Sequence, residues 1–405
     1  MRFNIWKDAK LHELPDLLDY IVDNRGKTVP TDPEGEHVLI ATNCIRNENL
    51  YPSYEKIRTL NDETYRNWFR SHPEPGDIIF VNKGTPGRVC MVPDPVDFCI
   101  AQDMVAFRVD SDVVYNKYLF AVLRSERIQK QIAATTVGDV IPHFKKQQLK
   151  ELLIPVPPMN IQKCIGDYYY LFCEKEELNK QINKNLEQQI QELYKEWFIT
   201  NREANWQRIP LSDIIFFQEG PGIRNWQYVE DGVKFINIRC INNGLIDTST
   251  ANKISLEEAS GKYSHFMLEP YDIVMSCSGT LGRYAIVLPQ NLPLCLNTSV
   301  IRFRPKQYKD DYSFVYGYMT SKEFLNQQIT MANGSAQVNF GPTHLKKIEI
   351  VEPPVETRKK FNDLVFPLIE TQISLRAENT RLVEIRDTLL PCLMSGEIDV
   401  SEVEI

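Results

Sequence analysis

The feature that most constrains this chain is a repeat at one spacing. Cys44 and Ile45 recur 196 residues later as Cys240 and Ile241. At the same offset Ser125 recurs as Ser321, Gly138 as Gly334, Phe144 as Phe340, Leu149 as Leu345 and Ile154 as Ile350. The pair Pro157-Pro158 recurs as Pro353-Pro354. With one residue slipped, Pro75, Asp77, Gly84, Thr85, Gly87 and Arg88 fall on Pro270, Asp272, Gly279, Thr280, Gly282 and Arg283. Each copy then runs into a long polar segment of helical character. The order is globule, helix, globule, helix. Such a chain has pseudo-twofold symmetry, and the natural partner of a twofold object is another twofold object.

A length of 405 residues suits two to four domains of about 100–150 residues. The repeat divides the chain into a first globule at 1–158, a central helix at 159–204, a second globule at 205–354, and a helix with an acidic tail at 355–405. No apolar run approaches the roughly 20 residues of a membrane span. Residues 1–7 lack the apolar stretch of a signal peptide, so a cytosolic protein with no membrane partner is expected. The nine cysteines include no Cys-x-x-Cys pair, so buried free thiols are expected rather than disulfides or a metal site.

Formal net charge is −8, which alone disfavours nucleic-acid binding. The acid is uneven, however. The tail carries Glu397, Asp399, Glu402 and Glu404, while Lys145-Lys146, residues 302–306 and Lys346-Lys347 read as locally basic. An acidic chain can still bind DNA when a partner supplies much of the positive field.

Short apolar runs broken by Gly, Pro and Asn mark strands and loops in both globules. Residues 38–40 and 235–238 read as strands entering the Asn-rich turns 43–47 and 239–243. Residues 77–81 and 272–275 form a second matched pair, each leading into a Gly-Thr-x-Gly-Arg loop at 84–88 and 279–283. Strands at 89–92 and 284–288 leave those loops, and 118–132 and 316–329 read as helical. The expected class is α+β: two twisted sheets with flanking helices, alternating with two long helices that pair as an antiparallel coiled coil.

The Gly-Thr-x-Gly-Arg loop is not a phosphate loop of the Gly-x-x-x-x-Gly-Lys-Ser/Thr kind. Two glycines around a hydroxyl can still present N–H groups to an anion, and Arg can fork onto a phosphate. The plainer alternative is a tight hairpin with a solvated Arg. Positions that agree between copies suit shared work, and positions that differ in the same loops suit the reading of different sequences. Lys83 against Ser278, Arg46 against Asn242 and His143 against Asn339 are such pairs, and ordinary loop drift is the alternative. Arg, Lys, Asn and Ser can reach base edges in a groove. Candidate DNA contacts in the first globule are therefore Asn43, Arg46, Lys83, Gly84, Thr85, Arg88, His143 and Lys145. In the second they are Arg224, Asn225, Arg239, Asn242, Ser278, Gly279, Thr280, Arg283 and Asn339. His143 and His344 are not at equivalent positions, which argues against a catalytic pair.

Stepping by seven in the first long segment gives Ile165, Phe172, Asn179, Leu186 and Leu193. In the second it gives Phe361, Leu368, Leu375, Leu382 and Leu389. A sustained seven-residue row with charged neighbours predicts a coiled-coil seam. Ile182 and Ile385 are expected to broaden it, and Asn179 to fix register. A helix of roughly 40 residues is about 60 Å long, close to 18 base pairs. If the helices pair antiparallel, one globule sits at each end of a rod. Pro391 is expected to end or kink the second helix, and Gly396 to stop it.

At this point the chain resembles the specificity subunits of type I restriction–modification systems, the HsdS family. The ending Leu389-Leu390-Pro391-Cys392-Leu393-Met394-Ser395-Gly396-Glu397-Ile398-Asp399-Val400 is similar to the family's C-terminus. Leu193-Tyr194-Lys195-Glu196-Trp197-Phe198 is similar to the end of its central helix, and Pro270-Tyr271-Asp272-Ile273-Val274 with residues 279–283 to its recurrent strand–loop. Pro86 departs from Leu281 in the matching loop. The resemblance implies a bacterial or archaeal cytoplasmic protein in which each recognition domain reads half of a bipartite, asymmetric duplex site. It also implies that the helices set the unread spacer and dock two methyltransferase subunits, with restriction subunits joining that core. A methyltransferase should carry a Gly-rich cofactor loop and an Asn/Asp-Pro-Pro-aromatic motif, and neither is present. The expectation is a non-catalytic subunit without its own cofactor, S-adenosylmethionine, ATP and Mg being used by partners. The competing reading is a coiled-coil scaffold whose globules bind protein.

Overall fold

A computed structural model describes residues 9–24, 26–138, 141–242, 244–279, 281–332, 340–395 and 397–398. It divides into two compact units, Met1–Asn179 with Asn379–Ile405, and Lys180–Glu378. The boundaries fall inside two long helices, Met159–Lys195 and Val355–Ser395.

In the first unit the main sheet runs Leu18–Asp23, Met104–Val109, Ile78–Val81, Val89–Met91, with every neighbour antiparallel. Its strands other than the edge strand Leu18–Asp23 are apolar at nearly every position because both faces are buried, and alternate residues serve different cores. Ile78, Phe80, Val89, Val105 and Phe107 pack beneath the helices Asn116–Arg124 and Glu126–Thr135. Ile79, Val81, Cys90 and Ala106 face a second sheet, Arg58–Leu60, His37–Ile40, Phe98–Ile100. The second unit repeats this plan, with a sheet ordered Ile215–Glu219, Val300–Pro305, Ile273–Ser276, Tyr284–Ile286. The repeat extends to register. Val38 pairs in parallel with Phe98, and Lys234 with Leu294, both partners displaced by 196.

Shared residues hold shared structure. Asp77 accepts from the Glu74 amide at 2.9 Å and from Arg108 at 3.0 and 3.2 Å. Asp272 does the same with the Glu269 amide at 2.9 Å and Arg304 at 2.7 and 2.9 Å. Phe144 and Phe340 are both buried, and their amides donate to the carbonyls of Asn82 and Cys277 at 2.7 and 2.8 Å. The single helices expected at 118–132 and 316–329 are each two, broken at Ser125 and Ser321. Each serine hydroxyl donates to the carbonyl three residues back, at 2.6 and 2.7 Å, and so ends the preceding helix.

The long helices pair antiparallel within each unit. In the first, Glu176 meets Arg386 at 2.9 and 3.1 Å, while Asn179 meets Asn379 at 2.8 Å, so the partner number falls as the helix advances. In the second, the Asn183 carbonyl accepts from Gln372 at 3.1 Å, and Trp197 and Phe198 pack on Phe361. Of the seven-residue rows, Ile165, Asn179 and Phe361 are buried. Phe172, Leu186, Leu193, Leu368, Leu375, Leu382 and Leu389 are half-buried along its flank. Ile182 and Ile385 do not broaden the seam, being 43% and 49% exposed. The reason is that the helices also pack on the globules, the first through Tyr169 on Phe120 and Tyr194 on Phe314 and the second through Phe366 on Tyr312, which turns the buried stripe away from them. The middle of the buried stripe is polar, with Glu176, Asn179, Gln372, Arg376 and Arg386 all buried.

Pro391 does not end the second helix, which runs on to Ser395. Gly396, together with Gly334, Asp399, Glu402 and Glu404, lies outside the described residues. Gly166 is required by close approach, since a Cβ there would stand 2.6 Å from the Tyr118 amide nitrogen. Its counterpart at 362 is Asn362, whose side-chain Oδ1 instead accepts from the Ser313 amide and hydroxyl at 3.1 and 2.9 Å.

Candidate nucleic-acid interface

The matched loops gather at one end of each main sheet. In the first unit the loop after Ile78–Val81 is tied to the segment before Met104 by Asn82 N–H to Asp103 carbonyl, 2.9 Å. It is tied to Pro142 by Gly84 N–H to the Pro142 carbonyl, 2.9 Å, and to His143 by a bridge from Lys83, and His143 in turn pairs with Val137. Ala101 N–H donates to the Ile40 carbonyl at 3.0 Å, which brings the turn Thr42–Cys44 to the same end. Lys83, Gly84, His143, Lys145, Asn43 and Arg46 are exposed there, with Thr85 and Arg88 partly so. Arg46 is not a free cation, since it pairs with Glu55 at 2.6 Å, and Asn43 donates to the Glu55 carbonyl.

The second unit repeats the arrangement. Cys277 N–H donates to the Ser299 carbonyl at 3.0 Å, and Ile238 N–H to the Ser299 hydroxyl at 3.2 Å. Arg239, Gly279 and Arg283 are exposed there, and Ser278 is partly exposed. Arg224 and Asn225 stand apart from these loops. Their turn is anchored by Gln227, which reaches Glu258 and Tyr263 at 2.8 and 3.1 Å beside the smaller sheet. Thr280, Asn339 and the side chain of Asn242 lie outside the described residues.

The glycines of both Gly-Thr-x-Gly-Arg loops have hairpin work. All four have positive φ, from +71° to +89°. A Cβ on Gly87 would lie 3.1 Å from Gln129 and Ile132, and one on Gly282 would lie 2.7 Å from Leu325, the residue that matches Gln129. In the first loop the amides of Gly84, Gly87 and Arg88 are spent within the fold, and Pro86 has none. That weakens any backbone cradle for an anion and leaves the Arg88 and Arg283 side chains to act, neither of which has an ion-pair partner among the described residues.

Two of the expected basic runs are less basic at the surface than their residues suggest, although Lys145 and Lys306 are exposed. Arg302 is buried and donates to the Met267 and His265 carbonyls and to Gln218, at 2.6, 2.8 and 2.7 Å. Arg304 is bound to Asp272 and Glu269. Lys146 is ion-paired with Asp23. Sequence reasoning sought cations and amides and passed over two exposed or half-exposed groups of other kinds. One is Trp226, 81% exposed; the other is Glu219, whose alignment with Asp23 at the same offset of 196 was a signal available to it. Burial raises the Glu219 carboxyl above the usual range.

The cysteines are all free, eight of them buried and Cys392 partly exposed. Among the described residues no three His, Cys, Asp or Glu are placed to hold a metal, and no helix is long and apolar enough to cross a membrane.

A fold of two like recognition units joined to paired helices defines a class, and comparison with known proteins gives the family. The family model described as the type I restriction modification DNA specificity domain matches twice, over residues 8–188 and 203–385. The chain belongs to that family, as the resemblance implied. It is 24% identical to the type I restriction enzyme HindI specificity subunit of Haemophilus influenzae, over 80% of this chain and 86% of that one. It is 22% identical to the MjaVIII specificity subunit of Methanocaldococcus jannaschii, over 98% and 94%. A crystal structure of a type I restriction–modification S subunit from M. genitalium shares the fold, with TM-score 0.58 at 17% identity over 95% of this chain and 96% of that one.

Proposed function

We propose that this chain is the non-catalytic DNA-reading subunit of a type I restriction–modification complex. Each recognition unit reads one half of a bipartite, asymmetric duplex site. The helices set the unread spacer and dock two methyltransferase subunits, and restriction subunits join that core in the cytoplasm of the cell. S-adenosylmethionine, ATP and Mg belong to the partners. The observation that carries this reading is the division between agreement and difference in the repeat. The two units share strand register and the Asp–Arg anchor, while loop positions such as the exposed Lys83 and the partly exposed Ser278 differ. A common scaffold with unlike loops suits two unlike half-sites, and half-site spacing then follows protein geometry.

Single-molecule methylation mapping of DNA from cells that express this chain with its neighbouring methyltransferase subunit tests the proposal. Methyladenine at a split, asymmetric motif is the expected result. A stable complex that leaves no motif would turn the reading toward a scaffold.

A further inference from the structure

The two units differ in one charge at the end of the main sheet. Asp23 closes its edge strand opposite Val105, and Glu219 closes the matching strand opposite Ile301, both pairs displaced by 196. Asp23 is neutralised by Lys146. The residue matching Lys146 is Pro342, so the second unit has lost that lysine. Glu219 has no hydrogen-bond or ion-pair partner among the described residues. One of its carboxylate oxygens lies 3.7 Å from where a Cβ on Gly341 would stand, beside the Cys277 loop that leads to Gly279 and Arg283. A half-buried carboxylate without a partner carries a desolvation cost, and beside DNA it repels phosphate. It is tolerated at a recognition face where it meets a hydrogen-bond donor. In the major groove the base donors are the amino groups of cytosine and adenine. Adenine sets the N7 acceptor beside its amino group, which opposes a second carboxylate oxygen, whereas cytosine presents N4–H₂ alone.

We infer that Glu219 is a specificity-determining residue of the second recognition unit, accepting a hydrogen bond from the N4 amino group of one cytosine in the half-site. The inference rests on the DNA-reading function proposed above. Asp23, already paired, makes no such contact.

The test compares complexes that carry the wild-type chain, Glu219→Gln, Glu219→Ala and Asp23→Asn. Methylation mapping gives the motif of each, and competition between duplexes differing at one base pair gives the selectivity of each purified complex. Both Glu219 variants are expected to relax one C·G position of one half-site, with selectivity there falling roughly 5- to 30-fold. The other half-site should stay unchanged, and Asp23→Asn should keep the wild-type motif. Glu219 variants with wild-type motif and selectivity would overturn the inference while leaving the DNA-reading function intact. A uniform loss at every sequence would overturn it too. If the wild-type complex itself left no split motif, both would fall together.

Discussion

Gly84 and Gly87 show how much one residue's surroundings matter. Both have positive φ, but nothing lies within 4 Å of a Cβ on Gly84, while one on Gly87 meets Gln129 and Ile132 at 3.1 Å. Gly84→Ala should therefore cost only the left-handed backbone penalty, about 1–2 kcal/mol. Gly282→Ala, whose Cβ would stand 2.7 Å from the Leu325 Cδ1, must also displace the end of that side chain and should cost up to about 1 kcal/mol more. Urea unfolding of the two variants measures the difference, and equal losses would show that Leu325 moves aside freely. Arg88 and Arg283 belong to the same loops but point to function. Charge reversal of either should weaken DNA binding across all sequences and flatten its salt dependence, if these guanidinium groups touch phosphate. An unchanged affinity and slope in both variants would make these arginines solvated surface charges.

Among the elements, the paired helices are the least ordinary. A seam of leucines would be held by apolar burial, but here the buried middle carries Glu176, Asn179 and Arg386 in the first unit and Gln372 and Arg376 in the second. A buried ion pair is costly to break and cheap to replace. Glu176→Leu alone leaves the buried Arg386 guanidinium with only the exposed carboxylate of Asp387 and should cost up to about 3–5 kcal/mol. The double variant Glu176→Leu with Arg386→Leu should recover most of that loss. Chemical denaturation of both single variants and the pair gives the coupling, and simple additivity would refute it. The polar rows also show why the heptad steps located the helices without locating their buried face. Periodicity of seven finds a stripe, but the globules packed against the helices rotate it, as Tyr169 on Phe120 and Tyr194 on Phe314 do for the first and Phe366 on Tyr312 for the second.

The repeat is the property of the molecule as a whole. If each unit reads its own half-site, replacing residues 1–158 with another recognition domain of the family should change one half of the methylated motif and leave the other alone. A change in both halves would show that the units do not read independently.

What the sequence determined by itself was the plan: two α+β units, two long helices, and the family they belong to. These follow from residues that agree at an offset of 196, or 195 where one residue is slipped, and they agree because they do the same local work. Asp77 and Asp272 hold a turn and an arginine, Ser125 and Ser321 end a helix, and Gly87 and Gly282 make room for a neighbouring helix. Local work of this kind leaves its mark in residue type and spacing. Only the tertiary structure decided which charges are available. Arg302, Arg304, Arg46 and Lys146 read alike as basic residues, yet all four are engaged, by partners distant in sequence or on another strand or loop. Glu219, which by itself reads as one more acid, is unpaired among the described residues, where Pro342 stands at the position of the lysine that answers its counterpart. A charge is satisfied by whatever the fold brings within about 3–4 Å of it, and that distance is not written in the neighbouring residues of the chain.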